Sequence, residues 1–167
     1  MTAMSEHLIV NRTELEHCPI PESTKTFSPV PHSLAYDLAR EIGEGAGLNF
    51  IGDRLEVTNG GLRAFMQLKF EYPNPENLPG LEGYIYTIGL RGCNDKSSRF
   101  AAAAGPTVFI CSNQCIHGED INLFRKHSKY ILNDLGDMFE KVIDVGKNRF
   151  TQRVQWMEDK KDIQLNL

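Results

Sequence analysis

The sequence predicts an α+β domain made of a short helix, an antiparallel sheet of four or five strands and a long C-terminal helix. Three patterns indicate this class: helical spacing of apolar residues near 33–42, alternating strands between 48 and 111, and a second helical pattern from His127 to about Lys161. We therefore divide the chain into an extended N-terminal arm (1–31), an α+β core (32–146) and a helical C-terminal extension (147–167).

The composition is that of an ordinary globular protein, since 41% of the 167 residues are apolar and 24% are charged. No apolar run reaches about 20 residues, the length that a bilayer span needs. The N-terminal residues lack the basic and apolar segments of a secretion signal. We expect a cytoplasmic protein without a membrane partner, whose four cysteines are reduced thiols.

The net charge of −4 is unevenly spread along the chain. Residues 1–60 hold 4 basic and 9 acidic side chains, whereas residues 121–167 hold 9 basic and 7 acidic ones. The overall charge argues against bulk attraction to nucleic acid. A polyanionic partner would therefore meet the C-terminal part of the chain.

The first 31 residues are predicted to be extended because they hold four of the eight prolines, Pro19, Pro21, Pro29 and Pro31. A short helix then starts at His32 or Ser33 and ends at a glycine string, 43–47. Its half-buried stripe is formed by Leu34, Leu38 and Ile42, with Ala35 and Ala39 beside them. This string closes a helix, whereas a phosphate-binding glycine loop opens one, so we do not interpret it as a phosphate loop.

Residues 48–111 read as a series of strands. Asn59-Gly60 is a hairpin-turn dipeptide. Leu62–Tyr72 alternates between apolar and polar residues, which indicates a strand with one wet face. Residues 84–90 alternate again, and Phe100–Cys111 returns along them after a polar turn at 94–98.

From His127 to about Lys161, apolar residues recur at steps of three and four. An unbroken helix of this length would extend about 50 Å, which is longer than a domain of this size can cover. Either the helix breaks near Gly146, or the apolar residues after residue 149 pack on another subunit. We favour self-association into a homo-oligomer.

The expected binding site is a set of basic and polar residues around the ends of these strands. Lys and Arg neutralise phosphates, while Asn and Ser side chains position them. The turn at 94–99 and residues 111–113 lie at opposite ends of the predicted hairpin, so the two groups need not share a pocket. The candidate nucleic-acid-binding residues are Arg91, Asn94, Lys96, Ser97, Arg99, Asn113, Arg125, Lys126, His127 and Lys129.

A zinc site would use Cys111, Cys115 and His117, with Cys93 reaching across the sheet as a fourth ligand. Structural zinc usually takes two well-separated pairs of ligands. The spacing here does not match that pattern, so we expect neither a metal nor another cofactor.

A catalytic alternative places Cys111 beside His117 or His127, with Asp95 as the orienting group. The sequence does not establish the hydrogen bonds that this arrangement requires. We therefore assign no catalytic residue, and an enzyme is the least favoured class.

The segments Leu90-Arg-Gly-Cys-Asn-Asp-Lys-Ser97, Val108-Phe-Ile-Cys-Ser-Asn113, Gly118-Glu119 and Arg125-Lys-His-Ser128 carry a family resemblance. Their order resembles that in short members of the phage- and plasmid-associated family called domain of unknown function 932. The resemblance covers roughly residues 33–145, with departures at Gly92, usually Asn, and Cys115, usually a small apolar residue. It implies an origin in a mobile element, most simply a bacteriophage, and hence the host cytoplasm.

The order of helix, strands and long helix is also similar to the core of recombinational single-strand-annealing proteins. Those proteins form rings or filaments that hold single strands in a basic groove. The first functional hypothesis is therefore a non-enzymatic oligomer that binds single-stranded nucleic acid, with a role in recombination or annealing. The alternative is a phage accessory protein that binds a host protein complex such as a defence system, through its acidic first third or its arm.

Overall fold

In the computed structural model, which describes residues 6–72, 85–106, 108–110 and 115–161, the main sheet has six antiparallel strands. In chain order the strands are β1 (Leu8–Val10), β2 (Asn49–Thr58), β3 (Arg63–Glu71), β4 (Ile85–Cys93), β5 (Phe100–Gly105), β6 (Val108–Ile110), β7 (Ile116–Gly118) and β8 (Ile121–Arg125). The spatial order of the main sheet is β1-β2-β3-β4-β5-β8, and β6 pairs with β7 in a separate hairpin. The predicted α+β class with an antiparallel sheet is confirmed.

The main sheet has more strands than the four or five expected, because two short strands join its edges. At one edge β1, from the predicted extended arm, pairs Leu8 with Val57 of β2. At the other edge β8 pairs Arg125 with Phe100 of β5. Strands of three to five residues are too short to show alternation. A one-turn helix α1 (Arg12–Glu16), capped by Asn11, follows β1.

The predicted turn between β2 and β3 is confirmed. Asn59 and Gly60 both take positive φ values, 52° and 64°. Along β3 the alternation also holds, since Ala64, Met66, Leu68 and Phe70 are buried while Lys69 and Glu71 are exposed. Phe65 is the exception, because it is buried on the other face.

The predicted strand Phe100–Cys111 is two strands rather than one. It leaves the main sheet at Pro106, which has no N–H for a ladder, and β6 then folds over the sheet with β7. Gly89 of β4 makes room for this hairpin, because a Cβ there would lie 2.4 Å from the Val108 Cγ1 atom. The hairpin gives the sheet a second covered face.

The alanine run of β5 separates two apolar layers. Ala102 and Ala104 belong to the main core, whereas Ala101 and Ala103 pack with Val108 of the hairpin. Strand residues alternate between faces, so small side chains are needed wherever both faces are covered. The run therefore marks a part of the sheet that is covered on both faces.

The helix α2 (His32–Gly45) is present where predicted, and Leu38 and Ile42 of the predicted stripe are half-buried against the core. Leu34 is exposed, and the side toward the sheet carries Ala35, Tyr36 and Ala39. Gly43 lies against the Phe70 ring. The small residues Ala35, Ala39 and Gly43 let the helix approach the sheet closely, and this close packing determines which face of α2 is buried.

The long helix α3 (Ile131–Lys161) starts four residues later than predicted and continues through Gly146 without interruption. Its 31 residues correspond to about 46 Å. As far as Gly146 it buries an apolar side; beyond that point the described side chains are mostly exposed, including Trp156. Among the described residues, no helix is both long and apolar enough to span a membrane.

Gly146 is required by a close approach to the sheet rather than by a helix break. A Cβ at this position would lie 1.3 Å from the hydroxyl oxygen of Tyr86, a fully buried residue of β4. Gly136, which lies earlier in α3, differs because a Cβ placed there would meet no neighbouring atom within 4 Å. The two glycines of α3 therefore have different roles.

Gly146→Ala should lower the free energy of unfolding by about 1–3 kcal/mol, because the added methyl group forces the Tyr86 ring to move. Gly136→Ala is the matched control and should raise it by about 0.5–1 kcal/mol through helix propensity. Urea denaturation measures both. Equal effects of the two substitutions would show that the Tyr86 contact does not constrain the helix.

Candidate functional site

An irregular segment, Phe27–Pro31, crosses the end of the main sheet and is called the strap here. Its residues 27–30 are buried although they belong to no helix or strand. Buried N–H groups need partners, and Pro29 and Pro31 have none to satisfy. The residues that precede the two prolines, Ser28 and Val30, each donate their N–H to a side chain or main chain of the core.

Asn94 clamps the second half of the strap. The Val30 N–H donates to Asn94 Oδ1 (2.9 Å), and Asn94 Nδ2 donates to the Val30 carbonyl (2.8 Å). Asn94 is 2% exposed, and its own N–H donates to the Leu62 carbonyl (2.8 Å), which fixes the clamp at the end of β4. Both polar atoms of its side chain are thus occupied inside the protein rather than presented to a ligand.

His127 clamps the first half of the strap with a similar pair of bonds. The Ser28 N–H donates to the His127 carbonyl (3.0 Å), and His127 Nδ1 donates to the Ser28 carbonyl (3.0 Å). The ring stacks on Phe27, with centroids 5.2 Å apart, and meets the edge of Phe100. This use of His127 explains why α3 begins only at Ile131.

The protonation of His127 follows from its surroundings. Burial lowers the pKa of the imidazole below 6.5, while the bond to Ser28 and the charge of Asp95 oppose the shift. The ring is therefore neutral at pH 7. It does not act as a cation toward a phosphate at that pH.

The turn after β4 is organised by Asp95. Its carboxylate accepts from the Ser97 N–H (3.0 Å), the Ser97 hydroxyl (2.6 Å), Asn59 Nδ2 (2.8 Å) and the guanidinium of Arg63. Burial would raise the pKa of Asp95, but these bonds outweigh it and lower the pKa to about 2. Lys96, beside it, takes a left-handed φ of 66°, and its ammonium lies 5.0 Å from the Phe27 ring centroid.

A cleft of about 390 Å³ opens between this turn, the strap and the segment after β8. Three cations line it: Lys96 and Arg99 from the turn, and Lys126 from the segment after β8. Pairing of β5 with β8 brings the two stretches together, because Phe100 lies opposite Arg125. The other lining residues are Thr26, Phe27, Ser98, His127 and Ser128.

The remaining candidate residues divide by position. Arg91 is buried and donates to a main-chain carbonyl of the turn (3.0 Å), and the Ser97 hydroxyl is bonded to the carboxylate of the same turn. Arg125 and Lys129 are exposed on either side of the cleft-lining stretch 126–128. Asn113 lies outside the described residues.

The sequence analysis missed the contribution of the N-terminal arm to this site. Thr26 and Phe27 line the cleft, yet the arm was predicted only as extended chain. The available signal was the alternation of Pro29 and Pro31 with N–H-bearing residues, which suits a segment with few backbone donors to satisfy. The partners of those donors could not be identified from the sequence, because they lie 64 and 99 residues away.

The described part of the proposed zinc set does not form a cluster. Cys93 is buried, and burial raises the pKa of its thiol, whereas Cys115 and His117 are exposed at β7. Cys111 lies outside the described residues. Within the described ranges, no three His, Cys, Asp or Glu side chains are grouped so that they could hold a metal ion.

Two described residues of the catalytic alternative, His127 and Asp95, are hydrogen-bonded to groups outside the proposed catalytic set. His127 Nδ1 donates to the strap, and the carboxylate of Asp95 is bonded within its own turn and to Arg63. The nucleophile of that hypothesis, Cys111, lies outside the described residues.

Comparison with known proteins adds no relative: no protein-family model, curated protein or solved structure matches the chain. The resemblance to the phage- and plasmid-associated family therefore stays a prediction from the motifs. The functional argument depends on the cleft itself.

Asn94→Ala should lower the free energy of unfolding by about 2–4 kcal/mol, because it leaves the buried N–H and carbonyl of Val30 without their partners. Asn133→Ala, at an exposed position of α3, is the control and should stay within about 0.5 kcal/mol of the wild type. Chemical denaturation compares the three proteins. A stability of Asn94→Ala equal to that of the control would show that the clamp contributes nothing.

Proposed function

We propose that the protein binds single-stranded nucleic acid through the basic cleft, without catalysing a reaction. The observation that supports this most directly is the convergence of Lys96, Arg99 and Lys126 on one cleft from separate stretches of the chain. Three hydroxyl side chains line the same cleft, and none of its described lining residues is acidic. Cations and hydroxyls together are the groups that proteins use to hold phosphates.

Exposed aromatic rings lie close in sequence to the cleft-lining stretch 126–128, and they favour a single strand over an isolated phosphate as the ligand. Phe124 is 44% exposed and Tyr130 is 56% exposed, and both lie within four residues of Lys126 along the chain. The Lys129 ammonium lies 4.8 Å from the Tyr130 ring centroid. Single-strand binders combine cations for the backbone with aromatic rings on which bases stack. The stretch 124–130 carries both.

The size of the cleft also favours a single strand. Its volume of about 390 Å³ lies at the lower end of the range of small-ligand sites. Such a volume suits one nucleotide of a strand, while the bases of the neighbouring nucleotides stack on the exposed aromatic rings. A duplex would instead need a broad positive face.

The homo-oligomer predicted from the sequence remains part of the proposal. Beyond Gly146, α3 carries the 61%-exposed Trp156 and five basic residues against two acidic ones. A second copy could bury this ring and align several clefts along one strand. Origin in a mobile element, and a role in recombination, rest on the family resemblance alone.

A host-protein target is the alternative, and one surface favours it. Leu8 and Ile9 of the edge strand β1 are both exposed, and an edge strand offers unpaired backbone groups to a partner. This edge strand belongs to the acidic first third of the chain.

Arg99→Glu combined with Lys126→Glu should weaken binding of a fluorescent single-stranded oligonucleotide at least about tenfold at low salt. For the wild type, three phosphate contacts predict a log–log salt slope of about −2, and loss of two should reduce its magnitude by about 1.4. Fluorescence anisotropy across a salt series measures both quantities.

The matched control is Lys69→Glu combined with Lys141→Glu, which makes the same charge change at exposed positions of β3 and α3 that do not line the cleft. It should keep most of the affinity. Equal losses in both double variants would mean that only net charge matters. An unchanged affinity in the cleft variant would contradict the proposal and favour a protein target.

Trp156→Gln should shift the proposed oligomer toward smaller species, because it removes an exposed aromatic ring from the C-terminal half of α3. Leu132→Gln, at an exposed apolar position near the start of the same helix, is the control and should leave the mass unchanged. Light scattering behind a sizing column gives the masses. A monomeric wild-type protein would end the oligomer proposal without affecting the cleft.

A further inference from the structure

One ring nitrogen of His127, Nε2, makes no hydrogen bond to the strap. Because the Ser28 carbonyl only accepts, His127 Nδ1 carries the proton of the neutral ring, and Nε2 holds a lone pair. Nε2 is buried and has no hydrogen-bond partner among the described residues. Buried polar atoms normally have one, so an exception of this kind points to a functional state in which the ring sits differently.

We propose that the strap is a pH-dependent cover of the cleft. When the His127 ring is protonated, residues 26–28 move away from the cleft, while Val30 stays hydrogen-bonded to Asn94. The proposal rests on the proposed function for its consequence, but strap release itself is measurable without nucleic acid.

The closed geometry has no place for a charged ring. A protonated imidazole would carry a second N–H at Nε2, buried without an acceptor between Phe27 and Phe100. Leaving a charged donor unsatisfied in such surroundings is costly. Moving the ring into water removes that cost but breaks the Nδ1 bond to Ser28 and the stack on Phe27.

The charged groups around the ring do not compensate for this cost. Asp95 favours the charged form, but its carboxylate is already bonded to Arg63 and to its own turn. The second buried imidazole, His32 of α2, lies close enough for the two positive charges to repel each other. The other charged residues that line the cleft with His127 are the cations Lys96, Arg99 and Lys126. Desolvation dominates, and it lowers the pKa of His127.

Release should be confined to the first half of the strap. The titrating ring of His127 holds the Ser28 carbonyl, and the main-chain carbonyl of the same residue holds the Ser28 N–H. Val30 is held on both sides by Asn94, which has no titratable group. Pro29 separates the two. Before the strap, residues 22–26 are exposed, so few contacts oppose the movement on that side.

The direction of the pH dependence follows from linkage. The closed strap is favoured above pH 6.5, where the ring is neutral in both states. As the pH falls below 6.5 the ring of the open state charges first, so opening increases until the pH passes the lowered pKa of the closed state. Between pH 7.5 and 5.5, an open ring that titrates near 6.5 shifts the ratio of open to closed protein up to about tenfold.

Opening would add a stacking surface to the cleft. Phe27 is buried under Lys96 and against His127 in the closed state. Once lifted, its ring lies beside the three cleft cations and can stack on a base. Mild acid should then raise affinity for a single strand by more than the added charge of the exposed histidines explains.

The test follows amide exchange by NMR in the full chain without nucleic acid. Protection factors, corrected for the intrinsic pH dependence of exchange, are compared for the Ser28 and Val30 N–H groups at pH 7.5 and 5.5. Between the two pH values Ser28 should lose up to about tenfold in protection, while Val30 should change little. Equal losses at both positions, or none at Ser28, would overturn the proposal.

His127→Gln supplies the variant, because its side-chain amide can still donate to the Ser28 carbonyl but does not titrate. Its Ser28 protection should not depend on pH; a persisting pH dependence would assign the switch to His32 instead. If this variant does not fold, the wild-type comparison still decides. Oligonucleotide affinity at the two pH values then tests the consequence. Strap release without tighter binding would refute the added stacking surface but leave the switch in place, whereas no binding at either pH would refute the proposed function and not the switch.

Discussion

The structure around the cleft depends on two pairs of hydrogen bonds that hold a strap with no regular structure. Ser28 and Val30 stand two residues apart, so their backbone groups meet His127 on one side and Asn94 on the other. Prolines between and after them remove the donors that the core could not satisfy. These bonds tie the N-terminal arm to the turn after β4 and to the segment after β8, and in doing so they shape the cleft.

Electrostatics at the cleft is decided by which charges face solvent. Asp95 and Lys96 are adjacent in sequence and would cancel if both were exposed. Asp95 is instead turned inward against Arg63, where it stays ionised with a pKa of about 2. Lys96 is thereby left to act with Arg99 and Lys126. This explains how a chain with a net charge of −4 can present a locally cationic site.

The sequence predicted the elements that have a strong period and missed those defined by distant contacts. The β2–β3 turn, the alternation of β3 and the long helix were all visible as local patterns. The exposure of Leu34 in α2, the added strands β1 and β8, and the division of the strand at Pro106 depend on packing against partners far along the chain. At the site, the sequence motifs identified the stretches that line the cleft. Asn94 and His127 were predicted to bind a ligand, because a sequence does not show that a polar side chain is hydrogen-bonded within the fold.

The most direct test of the account is chemical-shift mapping of the labelled protein during titration with a short single-stranded oligonucleotide at low salt and neutral pH. The account predicts that the largest shifts fall on the amides of residues 26, 96–99 and 124–130, with the Val30 amide little changed because its clamp persists. Shifts confined to the exposed half of α3, or none at saturating oligonucleotide, would contradict the assignment of the cleft as the binding site.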